Sequence, residues 1–179
     1  MQSGVVLTQL EAVPNREPDP VSQDPQPKSK KEDLGPLIQV LLKVLSCMQQ
    51  LQVQSHLIHF NYEAPNFLSV HKQLKKQYEL HLEQFDHIGE LVRSLDYMTV
   101  MCQKGLLGCY KDFAHCKSYN PKEMLCTYIS NLEEAGMLAK KLSDVARKAK
   151  APDVEHYAAQ LVGEMFESAW LFKAVVRRM

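Results

Sequence analysis

The stretch His59 to Arg93, HFNYEAPNFLSVHKQLKKQYELHLEQFDHIGELVR, decides how the chain is read. Its front half, HFNYEAPNFLSVH, sets two histidines twelve residues apart around a break that contains Pro65. Behind the break, Phe67, Val70, Leu74, Tyr78, Phe85, Ile88 and Val92 recur at helical spacings, which predicts a helix from Asn66 to about Leu95. Proline fits the first turn of a helix and is expelled from its interior, so Pro65 marks where this helix begins.

The same rule carries the reading outward. Pro36, Pro121 and Pro152 each stand at the head of a long helix-period segment, and with Pro65 they punctuate four helix starts. The first helix is expected from Pro36 to about Asn61, with Leu37, Leu41, Val44, Met48, Leu51 and Ile58 on one stripe. The third runs from Pro121 to about Ala149, with Asn120 as N-cap and Glu123 three residues on. The fourth runs from Pro152 to near the end of the sequence, with Tyr157, Leu161, Met165, Ala169 and Phe172 on one face. No period-two stretch of useful length appears, so the fold class is all-α, a four-helix bundle. Residues 96 to 119 are too many for a simple loop, and YMTVMCQKGLL predicts a short extra helix in the connection between helices two and three.

The remaining five prolines lie in residues 1–35 among polar side chains, a composition that predicts a flexible tail rather than part of the bundle at 36–179. The chain has 21 basic and 21 acidic residues and no net charge, and the tail carries six acidic residues against four basic ones. The chain therefore has no overall electrostatic drive toward nucleic acid or anionic membrane, and DNA binding is possible but not favoured. No run of eighteen uncharged apolar residues and no signal-peptide pattern appear, so no membrane segment is expected. Five cysteines without close pairs suit a reducing, cytoplasmic setting.

Bundles often hold metal on facing helices, but the usual intra-bundle di-iron pattern needs two Glu-x-x-His motifs, and this chain has none. Asp112-x-x-His115 and Asp153-x-x-His156 have the spacing with a shorter acid, the first in the connecting region and the second at a helix start. The second helix carries a different set, with His71 near its start and Asp86 and Glu90 near its end, the last two one turn apart on a common face. Fifteen helical residues separate His71 from Asp86, roughly 22 Å at about 1.5 Å per residue. Ligand bonds of about 2 Å cannot bridge that gap within one chain. Two copies with their second helices antiparallel about a two-fold axis would bring the ends together and create two equivalent sites.

At these residues the chain resembles the Dps family of mini-ferritins. In that family a His-aromatic-Asn segment leads through a Pro/Gly-Asn-Phe break to a second His, an Asp follows fifteen residues later, and a Glu four after that. DVEHYAAQLVGEMFESAWLFKAV, with Trp170 late in it, resembles the family's final helix, so the likeness spans about residues 37 to 175. It implies a ferritin-like bundle assembled as a hollow homo-dodecamer from two-fold dimers. It also implies that iron, as Fe(II), is oxidised by peroxide or oxygen at an inter-subunit ferroxidase site and stored as mineral. By the same resemblance His59 and His71 are metal ligands from one subunit, and Asp86 and Glu90 are ligands from its mate.

The chain departs from the family pattern in two places. Lys75 stands where an acidic ligand is common, and Phe60 where Trp is common. Two readings follow, an iron-oxidising mini-ferritin and a catalytically silent bundle acting as a structural shell or binding module, and the direction taken by Lys75 separates them. The other polar features have plainer readings: His81 and His87 as surface or interface residues, Cys102, Cys109 and Cys116 as small buried packing residues, and the methionines as core filler. Arg177 and Arg178 would supply basic spots in an assembly.

Overall fold

The computed structural model describes residues 34–179, so the expected tail at 1–35 lies almost wholly outside the described residues. Five helices follow one another: α1 (Gly35–Asn61), α2 (Phe67–Ser94), α3 (Gln103–Cys109), α4 (Pro121–Lys148) and α5 (Pro152–Val176). Among the described residues there is no strand, and no helix is long and apolar enough to cross a membrane. The architecture is the expected all-α four-helix bundle with a short connecting helix.

Local chemistry accounts for the boundaries. Pro36, Pro121 and Pro152 all occupy the first or second helical position, where a missing N–H costs nothing. Before α4, the Asn120 side chain accepts the Glu123 N–H at 3.1 Å, and Ser118 Oγ donates to the Glu123 carboxylate at 2.6 Å. The ends of α2 and α4 are closed by left-handed residues, Asp96 (φ 66°) and Lys150 (φ 53°). The following N–H groups of Tyr97 and Ala151 then reach back to the carbonyls of Val92 and Ala146.

Short turns make α1–α2 and α4–α5 two antiparallel hairpins, and α1 packs on both α2 and α4. The connection from Leu95 to Asn120 is fastened by side chains rather than by secondary structure. Gln50 donates to the Tyr110 carbonyl and Gln54 to the Ala114 carbonyl, each at 3.0 Å. Asn131 on α4 binds Ala114 from both sides, donating to its carbonyl at 2.7 Å and accepting its N–H at 3.0 Å. Buried amide groups left unbonded would each cost about 1–3 kcal/mol, so these contacts define the path of the connection.

The predicted stripe of α1 is buried throughout, but that of α2 is turned. Its buried residues are Val70, Leu74, Gln77, His81, Gln84, Ile88, Leu91 and Val92, whereas Phe67 is exposed and Tyr78 and Phe85 are partly covered. The expectation that His81 lies at a surface or interface is therefore corrected: its ring is fully buried. It is compatible with the core because both ring nitrogens are bonded, Nδ1 to Gln84 Oε1 at 2.8 Å and Nε2 to the Tyr128 hydroxyl at 2.7 Å. His87 is exposed as expected.

The sulfur residues also need correction. Cys102 is exposed and its Sγ accepts the Gly105 N–H, Cys109 and Cys116 are only half-buried, and Cys47 is the fully buried thiol. Met48, Met124 and Met165 fill the core, but Met98, Met101, Met137 and Met179 are exposed. Packing value follows position on the helix face, not residue type.

Burial pushes His81 down to about 4, opposed only in part by the Gln84 hydrogen bond. The unfolded chain, with His81 near its ordinary 6.5, binds a proton first on acidification. This histidine's contribution is complete above pH 6.5 and is lost as pH falls toward 4, on the order of 3 kcal/mol in all. Thermal melting of the wild type should therefore fall more steeply between pH 7 and 4.5 than that of His81→Gln, and parallel curves would contradict this assignment.

Candidate metal centre

The break between α1 and α2 shapes the first half of the candidate site. Five residues, Tyr62 to Asn66, reverse the chain, and the buried Tyr62 donates its hydroxyl to Asn66 Oδ1 at 2.7 Å. The reversal lays the first turns of α2 against the last turns of α1, so His59 and His71 meet. Their rings stack with centroids 3.7 Å apart at an interplanar angle of 21°. His59 Nδ1 lies 2.9 Å from the His71 carbonyl, and His71 Nδ1 lies 3.1 Å from the His59 carbonyl.

A carbonyl only accepts, so both contacts require a proton on Nδ1. In the neutral rings this leaves both Nε2 atoms with a free lone pair, the form in which imidazole binds a metal. Fixing the tautomer through the second ring nitrogen is how metal-binding histidines are usually oriented. Here each histidine's backbone performs that task for the other.

Aromatic rings surround the pair. His56 stacks on Tyr78 at 4.0 Å, Phe60 lies 5.6 Å from His59, and Phe67 lies 4.9 Å from His71. The sequence reading did not single out His56, three residues before His59 on the same helical face, nor the role of Tyr78 seven residues after His71. The i−3 and i+7 spacings were the available signal.

At the other end of α2, Asp86 and Glu90 are exposed and line one cavity of about 400 Å³ together with Arg93 and Val100. Arg93 Nη1 donates to the Tyr97 carbonyl at 2.7 Å. Lys75 forms an exposed pair with Glu79 at 3.7 Å. The histidine pair and the carboxylate pair thus stand near opposite ends of one helix. Among the described residues, no cluster of three or more His, Cys, Asp or Glu residues is assembled that could hold a metal ion within one chain. Asp112 and His115, like Asp153 and His156, are exposed.

The ferritin-like domain family matches residues 38–179. The fold is similar to solved Dps structures. For Dps from Thermosynechococcus elongatus the TM-score is 0.76 at 16% identity, covering 79% of this chain and 90% of that one. For Helicobacter cinaedi CAIP it is 0.72 at 24% identity, with 78% and 99% covered. For Dps from Vibrio cholerae O1 it is 0.73 at 14% identity, with 79% and 89% covered. No curated protein sequence matches.

His71→Phe keeps a ring on the His59 face and removes one Nε2 lone pair. Anaerobic titration with Co(II) should show binding weakened at least tenfold, while the lost Nδ1–H bond costs only about 1 kcal/mol in a thermal melt. Unchanged Co(II) affinity would remove the histidine pair from consideration as ligands.

Proposed function

Because the chain belongs to the ferritin-like domain family, we propose that it acts as a Dps-type mini-ferritin, a homo-oligomeric shell that takes up Fe(II), oxidises it and retains it as mineral. In this reading His59 and His71 of one subunit and Asp86 and Glu90 of its mate bind the iron at a two-fold interface. The shell is a dodecamer, the oxidant is peroxide or oxygen, and removing both reactants from solution limits oxidative damage. The Vibrio cholerae structure is described as a member of a broad superfamily of ferritin-like diiron-carboxylate proteins, which agrees with iron as the substrate.

One observation carries the reading: the reciprocal His59–His71 bonds, which engage both Nδ1 atoms and leave each neutral ring's Nε2 lone pair available. The donor set fits the chemistry. Imidazole suits Fe(II), and two carboxylates supply the negative charge that favours the Fe(III) product. Each half has two donors, too few for iron alone, so binding requires the mate. The exposed Lys75–Glu79 pair supports a lysine directed away from the histidines. Such a pair is worth about 0–1 kcal/mol, so Lys75 can move without appreciable cost.

The second reading, a silent shell, draws support from Arg93, which shares the cavity of Asp86 and Glu90 and can neutralise part of their charge. Iron uptake decides between them. Fe(II) is added anaerobically, peroxide follows, and mineral absorbance is recorded for wild type and for His71→Ala combined with Asp86→Ala. The ferroxidase reading expects rapid wild-type uptake and a loss of tenfold or more in the double variant. Equal traces would leave the silent shell. Light scattering tests assembly separately, and a monomer would exclude a site shared between subunits.

A further inference from the structure

Away from the histidine pair, the core of the bundle contains a chain of polar groups that metal binding does not use. Glu164 on α5, half-buried, accepts a hydrogen bond from Gln84 Nε2 at 2.8 Å. That contact aims Gln84 Oε1 at His81, and Oε1 accepts the His81 Nδ1–H at 2.8 Å. Nδ1 therefore carries the single proton of the neutral ring, and Nε2 is a bare base. The Tyr128 hydroxyl from α4 lies 2.7 Å from that base. Gln77 Oε1, at 3.2 Å, is the longer and less basic alternative for the same proton.

Tyr128 and His81 are both completely buried. In such a place a phenol cannot simply ionise or lose an electron, because an isolated charge would be left without water. Loss of an electron together with transfer of the proton avoids that cost on the phenol oxygen. Tyr128 has the required partner, an imidazole nitrogen within hydrogen-bond distance of its hydroxyl. Tyr62 is as deeply buried, but its hydroxyl is given to the Asn66 amide, which cannot take up a proton.

We propose that Tyr128 and His81 form a proton-coupled redox pair in the bundle core. One electron leaves the phenol for an external one-electron oxidant, and the hydroxyl proton moves 2.7 Å to His81 Nε2. The products are a neutral tyrosyl radical and an imidazolium. With hydroxyl radical, the species formed when a peroxide's O–O bond is cleaved by one electron, the oxidant leaves as hydroxide. The imidazolium positive charge is received by Gln84 Oε1, and the Gln84 dipole is anchored on the Glu164 carboxylate. The proton returns to the phenol when an electron donor reduces the radical. The pair thus offers a sink for oxidising equivalents that is shielded from solvent, since both side chains are fully buried.

The couple needs no metal and does not depend on the iron reading, so its test is done on the metal-free full-length protein. Flash photolysis with a ruthenium polypyridyl sensitiser and persulfate supplies the oxidant, and electron paramagnetic resonance follows the radical. Wild type should show a tyrosyl radical that outlasts those of exposed tyrosines and bears a hydrogen-bond coupling removed in D2O. Tyr128→Phe, which deletes only the hydroxyl, should lose at least nine-tenths of this persistent signal. His81→Gln should form it at least tenfold more slowly and alter the exchangeable coupling. Undiminished signal in Tyr128→Phe, or unchanged rate and coupling in His81→Gln, would overturn the pair. Circular dichroism verifies folding, and if one variant fails to fold, the other still decides. Failure of iron uptake with a persistent radical would refute the iron reading alone, and the converse would refute the redox pair alone.

Discussion

A straight α-helix is a rod, and the length of α2 constrains what this chain can do alone. Fifteen residues at about 1.5 Å each hold the histidine end and the carboxylate end apart. No side-chain rotation closes such a distance, and the described residues contain no complete metal cluster. Each end is nevertheless shaped in isolation: the histidines orient one another through their own backbones, and the acids share a cavity wall. A proximal copy would need to supply position and not reorganisation, which is where preorganisation lowers the cost of binding.

The same helix also carries the polar seam of the core. Gln77, His81 and Gln84 occupy buried positions normally given to apolar residues, and every buried side-chain nitrogen or oxygen among the described residues has a partner. A satisfied network of this kind restricts the register of α2 against α4 and α5, since sliding by one turn would orphan several groups at about 1–3 kcal/mol each. Tyr128 joins the seam from α4 and Glu164 from α5, so three of the four long helices are fixed relative to one another by His81 and its neighbours. The fourth, α1, is tied to the connection by Gln50 and Gln54.

How much of this was legible in the sequence follows from how local the causes are. Helix starts were readable because proline geometry and the Asn120 cap act within a few residues, and the start of α4 has the expected cap bond. Burial of His81 was not readable, because a histidine becomes admissible in a core only when two distant residues, Tyr128 and Gln84's partner Glu164, arrive to complete the network. The stripe of α2 was misread for a related reason: Phe67 and Tyr78 outrank glutamine in hydrophobicity, yet they serve the histidine pair while Gln77 lies inside. For the candidate site, residue types and intervals were legible, whereas the mutual Nδ1 bonds of His59 and His71 depend on backbone carbonyls that carry no sequence signal.

The two cations near the candidate site are not equivalent. Lys75 is held by one exposed pair with Glu79, and its flexible stem lets the ammonium follow solvent. Arg93 is anchored near the C-terminal end of α2, donating to the Tyr97 carbonyl and to Met98 Sδ, where the helix dipole also favours a positive charge. Arg93 lines the same cavity as Asp86 and Glu90, whereas the Lys75 ammonium is engaged by Glu79. The cation visible in sequence as a departure from the family pattern is Lys75; the structure adds Arg93, anchored at the acidic end of α2.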